Sequence, residues 1–290
     1  MSESCRSRSA IEIFARPWWW HIFTSSGMRL FRSAVLLSSF QSTPTRALST
    51  TMESIVERMQ EQASPAQKAW FENYVKGTTW IGLKVPQVRA IVKEELPVDL
   101  EVAWDLLQHP AADAKLAGMI VLQETKPHSQ WTNMDTLDRL DRVILPTHVN
   151  DWSTCDWLAM RVMKPLALAD ADLAKRILSM TRTGGTVWHR RCGLISFVQY
   201  DKQKWPTDDL PFLQAAEDML LASPDERFTQ TGVAWFLRYA LLVKDDKDEA
   251  YAMIVRHGDL WTTEAKKSLV EKLPKSNPWR GRILTLGKNN

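Results

Sequence analysis

Three residues of this sequence sit where packing does not account for them. Asp156 falls on a stripe with Trp152, Met160 and Met163, at i, i+4, i+8 and i+11 of a helical reading. Arg191 interrupts an apolar stripe of Val187, Leu194, Ile195 and Val198, with His189 and Arg190 beside it. Trp235 shares a stripe with Phe228, Gly232 and Tyr239, and Arg238 follows one turn later. A carboxylate or guanidinium taken out of water is costly unless something compensates it. For Asp156 the structural compensation is a cap on the first turn of its helix. The chemical one is a carboxylate that stabilises a developing cation. For Arg191 the choice is between pairing with a carboxylate for structure and gripping a phosphate. An aromatic stripe such as that of Trp235 is ordinary core, but Gly232 leaves a gap in it that a neighbour could enter.

The elements that must position these residues read as short amphipathic helices from Met52 onward. Ser64-Pro65 opens one containing Trp70, Phe71 and Tyr74, and Pro86 opens another with Val88, Ile91 and Val92 on one face. Further segments fall near 99–108, 112–125, 135–145, 153–168, 170–181, 186–200, 208–222, 225–242, 246–257 and 263–273. The Gly-Gly at 184–185 is the clear glycine break, and no long segment alternates with period two. Roughly a dozen such helices with short links predict an all-α fold of stacked antiparallel pairs, a HEAT-like solenoid with a concave face. Equivalent positions of successive repeats would then line one surface, where Asp156, Arg191 and Trp235 could meet.

Composition narrows the classes. The chain holds 14 Trp and only 11 Gly, which argues against a turn-rich β protein and a glycine-cradled nucleotide site. The cysteines Cys5, Cys155 and Cys192 form no CxxC pair, so neither a structural zinc nor a disulfide framework is expected. There is no HExxH, Walker loop or GxSxG, and no cofactor or metal is expected. His109, His128 and His148 read as surface or satisfied core residues. No long apolar run predicts a membrane span.

The net charge of +3 is uneven: residues 1–52 hold six Arg against Glu3 and Glu12, so residues 53–290 carry about −1. The stretch from Met28, MRLFRSAVLLSSFQSTPTRALSTT, is rich in Arg, Ser and Thr and has no acid. Residues 1–51 are therefore expected to be a mitochondrial or plastid transit peptide ahead of a 52–290 domain. Starts at Met28 or Met52 would give an unimported nuclear or cytoplasmic form.

The segments NDWSTCD (150–156), TVWHRRCGL (186–194), TQTGVAWFLRYA (229–240) and WIGLKVPQVRAIVK (80–93) resemble the AlkD family of HEAT-like alkylpurine DNA glycosylases. They span most of 53–290 in the expected order. By this resemblance Asp156 matches the catalytic carboxylate. Trp152 and Trp235 match tryptophans flanking the lesion's sugar and phosphate, and Arg191 matches the active-site arginine. Tyr74 matches an aromatic residue of the same cleft, with a spacing to Gly82 one residue short. Phosphate contacts are expected from His189, Arg190, Arg238, Lys266 and Lys267, the last two behind a helix start at Thr262-Thr263.

The chemistry so implied is hydrolysis of the N-glycosidic bond of purines alkylated at N3 or N7. The cationic base leaves readily, and the carboxylate stabilises the oxocarbenium-like sugar and directs water. The resemblance implies a lesion engaged from the backbone side without base flipping. No Lys shares the cleft motifs, so no Schiff base is expected. The partner would be double-stranded DNA containing alkylated purines, bound by a monomer. Two other readings stand beside this one: a non-catalytic module that holds damaged or branched DNA, and a scaffold whose Trp-rich face takes a protein.

Overall fold

A computed structural model describes residues 50–287 of the chain, and the address expected at the N-terminus lies almost wholly outside them. The helices in chain order are α1 (Met52–Glu61), α2 (Pro65–Tyr74), α3 (Val85–Glu95), α4 (Leu100–Gln108), α5 (Ala112–Glu124) and α6 (Met134–Arg139). There follow α7 (Leu145–Thr147), α8 (Trp152–Leu158), α9 (Lys164–Ala169), α10 (Ala171–Thr183) and α11 (Val187–Ile195). The last are α12 (Phe212–Ala222), α13 (Arg227–Ala240), α14 (Lys247–Arg256), α15 (Thr263–Leu269) and α16 (Pro278–Thr285). Among the described residues no strand forms, and one parallel bridge joins Thr79 and Ala111.

The helix starts follow the polar residues that the sequence places before them. Ser64, Asp151, Thr186 and Thr262 each accept a hydrogen bond from the backbone N–H three residues on. The expected helix over 153–168 is one rod in three parts: α8, a π-helical turn over Ala159–Met163, and α9. A second π-helical turn covers Leu140–Ile144. Each precedes a proline, Pro165 or Pro146, whose ring would meet the carbonyl four residues back in a regular α-helix. The wider π turn moves that carbonyl aside. The expected 186–200 helix is shorter. It stops at Ile195, the Ser196 hydroxyl turns back to Cys192 O at 2.7 Å, and Gln199 is left-handed at φ 60°. Helix α16 was not expected, although Asn277-Pro278 carries its signal: the Asn277 side chain caps Trp279 N at 2.9 Å.

Packing is that of a helical repeat. One row runs α3, α5, α8, α11, α13, α15, each helix against the next. Behind it α10, α12, α14 and α16 also pack in succession, and α4–α5, α10–α11 and α12–α13 form pairs. Close approach within the α10–α11 pair requires Gly193, where a Cβ would lie 2.8 Å from Ile177 O. Helix α5 is buried on nearly every side from Ala112 to Leu122, as a central helix must be.

Candidate active site

Asp156, Arg191 and Trp235 lie on three successive members of the first row: α8, α11 and α13. Asp156 does not cap its helix. That task falls to Asp151, whose Oδ1 accepts from Thr154 N at 2.8 Å. Instead Arg191 grips Asp156 with both arms, Nε to Oδ1 at 2.8 Å and Nη2 to Oδ2 at 3.0 Å. The pair is 6% and 4% exposed, respectively. The Arg191 Nη1 reaches on to α13, donating to Phe228 O at 2.8 Å and Thr231 Oγ1 at 3.2 Å. Of the two readings of Arg191, the structure shows the carboxylate partner. The guanidinium also explains Gly232: a Cβ there would stand 3.0 Å from Arg191 Nη1, so the gap is filled from within the protein.

Burial pushes the Asp156 carboxyl above its ordinary value, while the charge and hydrogen bonds of Arg191 pull it back. Burial opposes the charged form of Arg191 too, but Asp156 outweighs it and raises the guanidinium's pKa. The site therefore holds a desolvated carboxylate fixed in direction by a permanent cation.

The aromatic residues close the neighbourhood. Trp152 lies one turn before Asp156, and the Tyr74 ring meets the Trp152 ring edge-on at 5.8 Å. Trp235 is buried at 8% exposure, with the Arg238 guanidinium 5.7 Å above its ring. Tyr74 is brought there by a loop that sequence patterning does not show. The Asp113 carboxylate, at the start of α5, accepts from Ile81 N, Gly82 N and Leu83 N at 2.9, 2.7 and 3.1 Å. That clasp fixes Trp80, and Phe71 of α2 stacks on Trp80 at 4.3 Å.

Most of the cations expected to meet phosphate have protein partners. His189 is buried between Thr186 Oγ1 at 2.8 Å and Asp141 O at 3.0 Å. Arg190 donates to Gly184 O at 3.0 Å and Ser223 Oγ at 3.2 Å, holding the glycine turn. Arg238 is buried and pairs with Glu271, and Lys266 donates to Leu286 O. Lys267 is exposed. The N–H groups at the start of α15 are partly taken, because Thr262 caps Ala265 N and Gln230 Oε1 accepts from Thr262 N at 2.8 Å.

Two buried charged residues of this neighbourhood, Asp113 and Lys115, escaped the sequence reading. Lys115 on α5 is only 3% exposed, burial lowers its pKa, and Asp151 is the charge that opposes the shift. Their signal was an aspartate and a lysine in the otherwise apolar segment 112–122. Among the described residues no cluster of His, Cys, Asp and Glu could hold a metal ion, and no helix is long and apolar enough to cross a membrane.

A helical-repeat fold that buries a carboxylate–guanidinium pair beside tryptophans defines the class, and comparison with known proteins supplies the family. The family model described as DNA alkylation repair enzyme matches residues 55–272, and the chain belongs to that family. No curated protein matches it.

Proposed function

We propose that the protein is a monofunctional DNA glycosylase that hydrolyses the N-glycosidic bond of cationic N3- or N7-alkylated purines in double-stranded DNA. The observation that carries this reading is the Asp156 carboxylate, buried on the repeat row and held at both oxygens by Arg191. A carboxylate in low dielectric interacts with a nearby cation far more strongly than one in water. An alkylated purine leaves without needing a proton, so the barrier lies in the oxocarbenium-like sugar. Asp156 would stabilise that sugar and orient the attacking water. Arg191 is a positioning residue in this scheme, holding the carboxylate rather than a phosphate. Trp152 and Trp235 would offer π faces to the electron-poor sugar and lesion, contacts worth roughly 0.5–2 kcal/mol each. The row of α8, α11 and α13 would face the DNA, engaging the lesion from the backbone side with no flipping. Import through residues 1–51 into a mitochondrion or plastid belongs to the same proposal.

The test is release of free methylated purine from alkylated duplex DNA by wild type and Asp156→Asn. We expect the variant to lose at least about 10²-fold in single-turnover rate while binding DNA as before, the scale seen when a preorganised electrostatic partner of a transition state is removed. The acid limb of the wild-type profile should rise with pH, with a midpoint above the ordinary aspartate value, because burial raises this carboxyl. Tight DNA binding with no release from wild type would sink the enzyme reading and leave a damage-binding module.

A further inference from the structure

The start of α5 gathers nitrogen side chains that the chemistry above does not use. Lys115 is buried, and among the described residues no hydrogen bond ties its ammonium. An α-helix tilts its side chains toward its own N-terminus, so the Lys115 stem runs back past the start of α5. There its charge meets His109, in the turn before α5, and His148, in the link before α8. Burial lowers the pKa of both imidazoles, and the Lys115 charge lowers each further, with Asp113 opposing at His109. His109 Nδ1 accepts from Ala111 N at 3.0 Å, so the proton of the neutral ring is on Nε2. Both rings are half-buried, and each reaches solvent.

The place is beside the candidate site. Ala112 packs in one cluster with Val75, Trp80 and Trp152, and Lys115 follows Ala112 by three positions on the same face of α5. Two carboxylates lie near, and both are committed to backbone. Asp113 accepts from the N–H groups of 81–83, and Asp151 Oδ1 accepts from Thr154 N at 2.8 Å. Ala111 gives α5 no side-chain cap, so the positive end of this 13-residue helix adds to the field of Lys115. An ammonium and two imidazole donors repel a metal ion but suit the oxygens of an anion.

We propose that Lys115, His109 and His148 bind one backbone phosphate of the damaged strand, next to the nucleotide that Trp152 meets. This rests on the DNA-repair reading of the site and deepens it. It agrees with engagement from the backbone side, because every base stays in the stack. Lys115 supplies the charge, and the two neutral rings supply direction. Such a contact fixes the register of the strand against Asp156 and carries no sequence preference.

The test uses the full chain and a fluorescently labelled duplex bearing a tetrahydrofuran abasic analogue, from which no base can be released. Affinity is read by anisotropy between about 50 and 200 mM salt. Lys115→Met should reduce the slope of log affinity against log salt by about 0.9, so that wild type loses about 3.5-fold more over this range. A merely structural loss would lower affinity and leave the slope as it was. His109→Ala and His148→Ala should weaken binding about 2- to 10-fold at unchanged slope, since neutral donors displace no counterion. Methylphosphonates, which neutralise one phosphate each, are then placed singly along the strand. One position beside the analogue should weaken wild type and have no further effect on Lys115→Met. This scan alters the DNA alone, so wild type tests the site even if a variant fails to fold. No sensitive position beside the analogue, an unchanged salt slope in folded Lys115→Met, or wild-type affinity in both histidine variants would overturn the proposal. So would competition by inorganic phosphate at constant ionic strength without a methylphosphonate effect, which would make this a free-ion site. The enzyme reading stands or falls separately. A coupled methylphosphonate effect without base release by wild type keeps the phosphate site and removes the glycosylase, and base release without that coupling does the reverse.

Discussion

The Asp156–Arg191 pair is where stability and chemistry meet at the scale of single residues. Removing one partner leaves an uncompensated buried charge, which costs about 3–5 kcal/mol. We therefore expect Arg191→Met alone to lower unfolding free energy by that amount in urea titrations. The double variant Asp156→Leu/Arg191→Met should recover much of the loss, since an apolar pair of similar volume is often neutral in such a place. Additive losses would show that the two residues do not act as a pair. Lys164 offers a separate readout. Burial holds its amine at about 8, with Asp201 acting in the opposite sense, and Nζ donates to Val198 O at 3.1 Å. The unfolded amine has the ordinary value of 10.5. Between these values the unfolded chain binds more protons, so this group's contribution rises with pH. It is complete above the unfolded value and lost as pH falls through the folded one. The advantage of Lys164→Met over wild type at pH 7 should thus shrink by on the order of 2 kcal/mol by pH 10, measured as the difference in unfolding free energy.

At the scale of elements, buried polar side chains tie three helices of the row, α5, α11 and α13, to the backbone of segments outside it. Asp113 of α5 holds the backbone of 81–83, and His189 of α11 reaches Asp141 O. Gln230 of α13, only 1% exposed, donates to Leu260 O and accepts from Thr262 N. Such ties satisfy backbone groups that the short links would otherwise bury unpaired. The glycines divide by the same logic. A Cβ at Gly193 would press on the backbone of α10, whereas Gly185 has nothing within 4 Å. Gly193→Ala should cost about 1–3 kcal/mol through forced separation of α10 and α11. Gly185→Ala should be neutral or slightly stabilising. Equal effects in chemical denaturation would mean that the pair does not depend on close approach. Helix starts were legible because Ser64, Asp151, Thr186 and Thr262 advertise their caps locally. The end of α11 and the two π turns were less so, because both depend on how the chain meets a left-handed residue or a proline.

For the whole molecule, the balance of charge sets how DNA is met. Residues 53–290 are near neutral, and His189, Arg190, Arg238 and Lys266 are occupied within the protein. Binding should therefore rest on few phosphates. A plot of log affinity against log salt should have a slope corresponding to fewer than about four neutralised phosphates. A steep slope would point to a basic surface built from residues other than these. The helical class, most helix starts and the three residues that packing left unexplained could all be read along the chain, because period, caps and turn glycines are local properties. The four ordered segments likewise pointed to the family that the model over residues 55–272 shows. Which charge answers which came from the packed repeats alone. Asp156 and Arg191 are 35 residues apart, and Arg191 and Phe228 are 37 apart, so nothing local states that they touch. The same holds for the cations read as phosphate contacts: exposure and partner are set by the neighbouring repeat, and a periodicity argument sees only the face on which a residue lies.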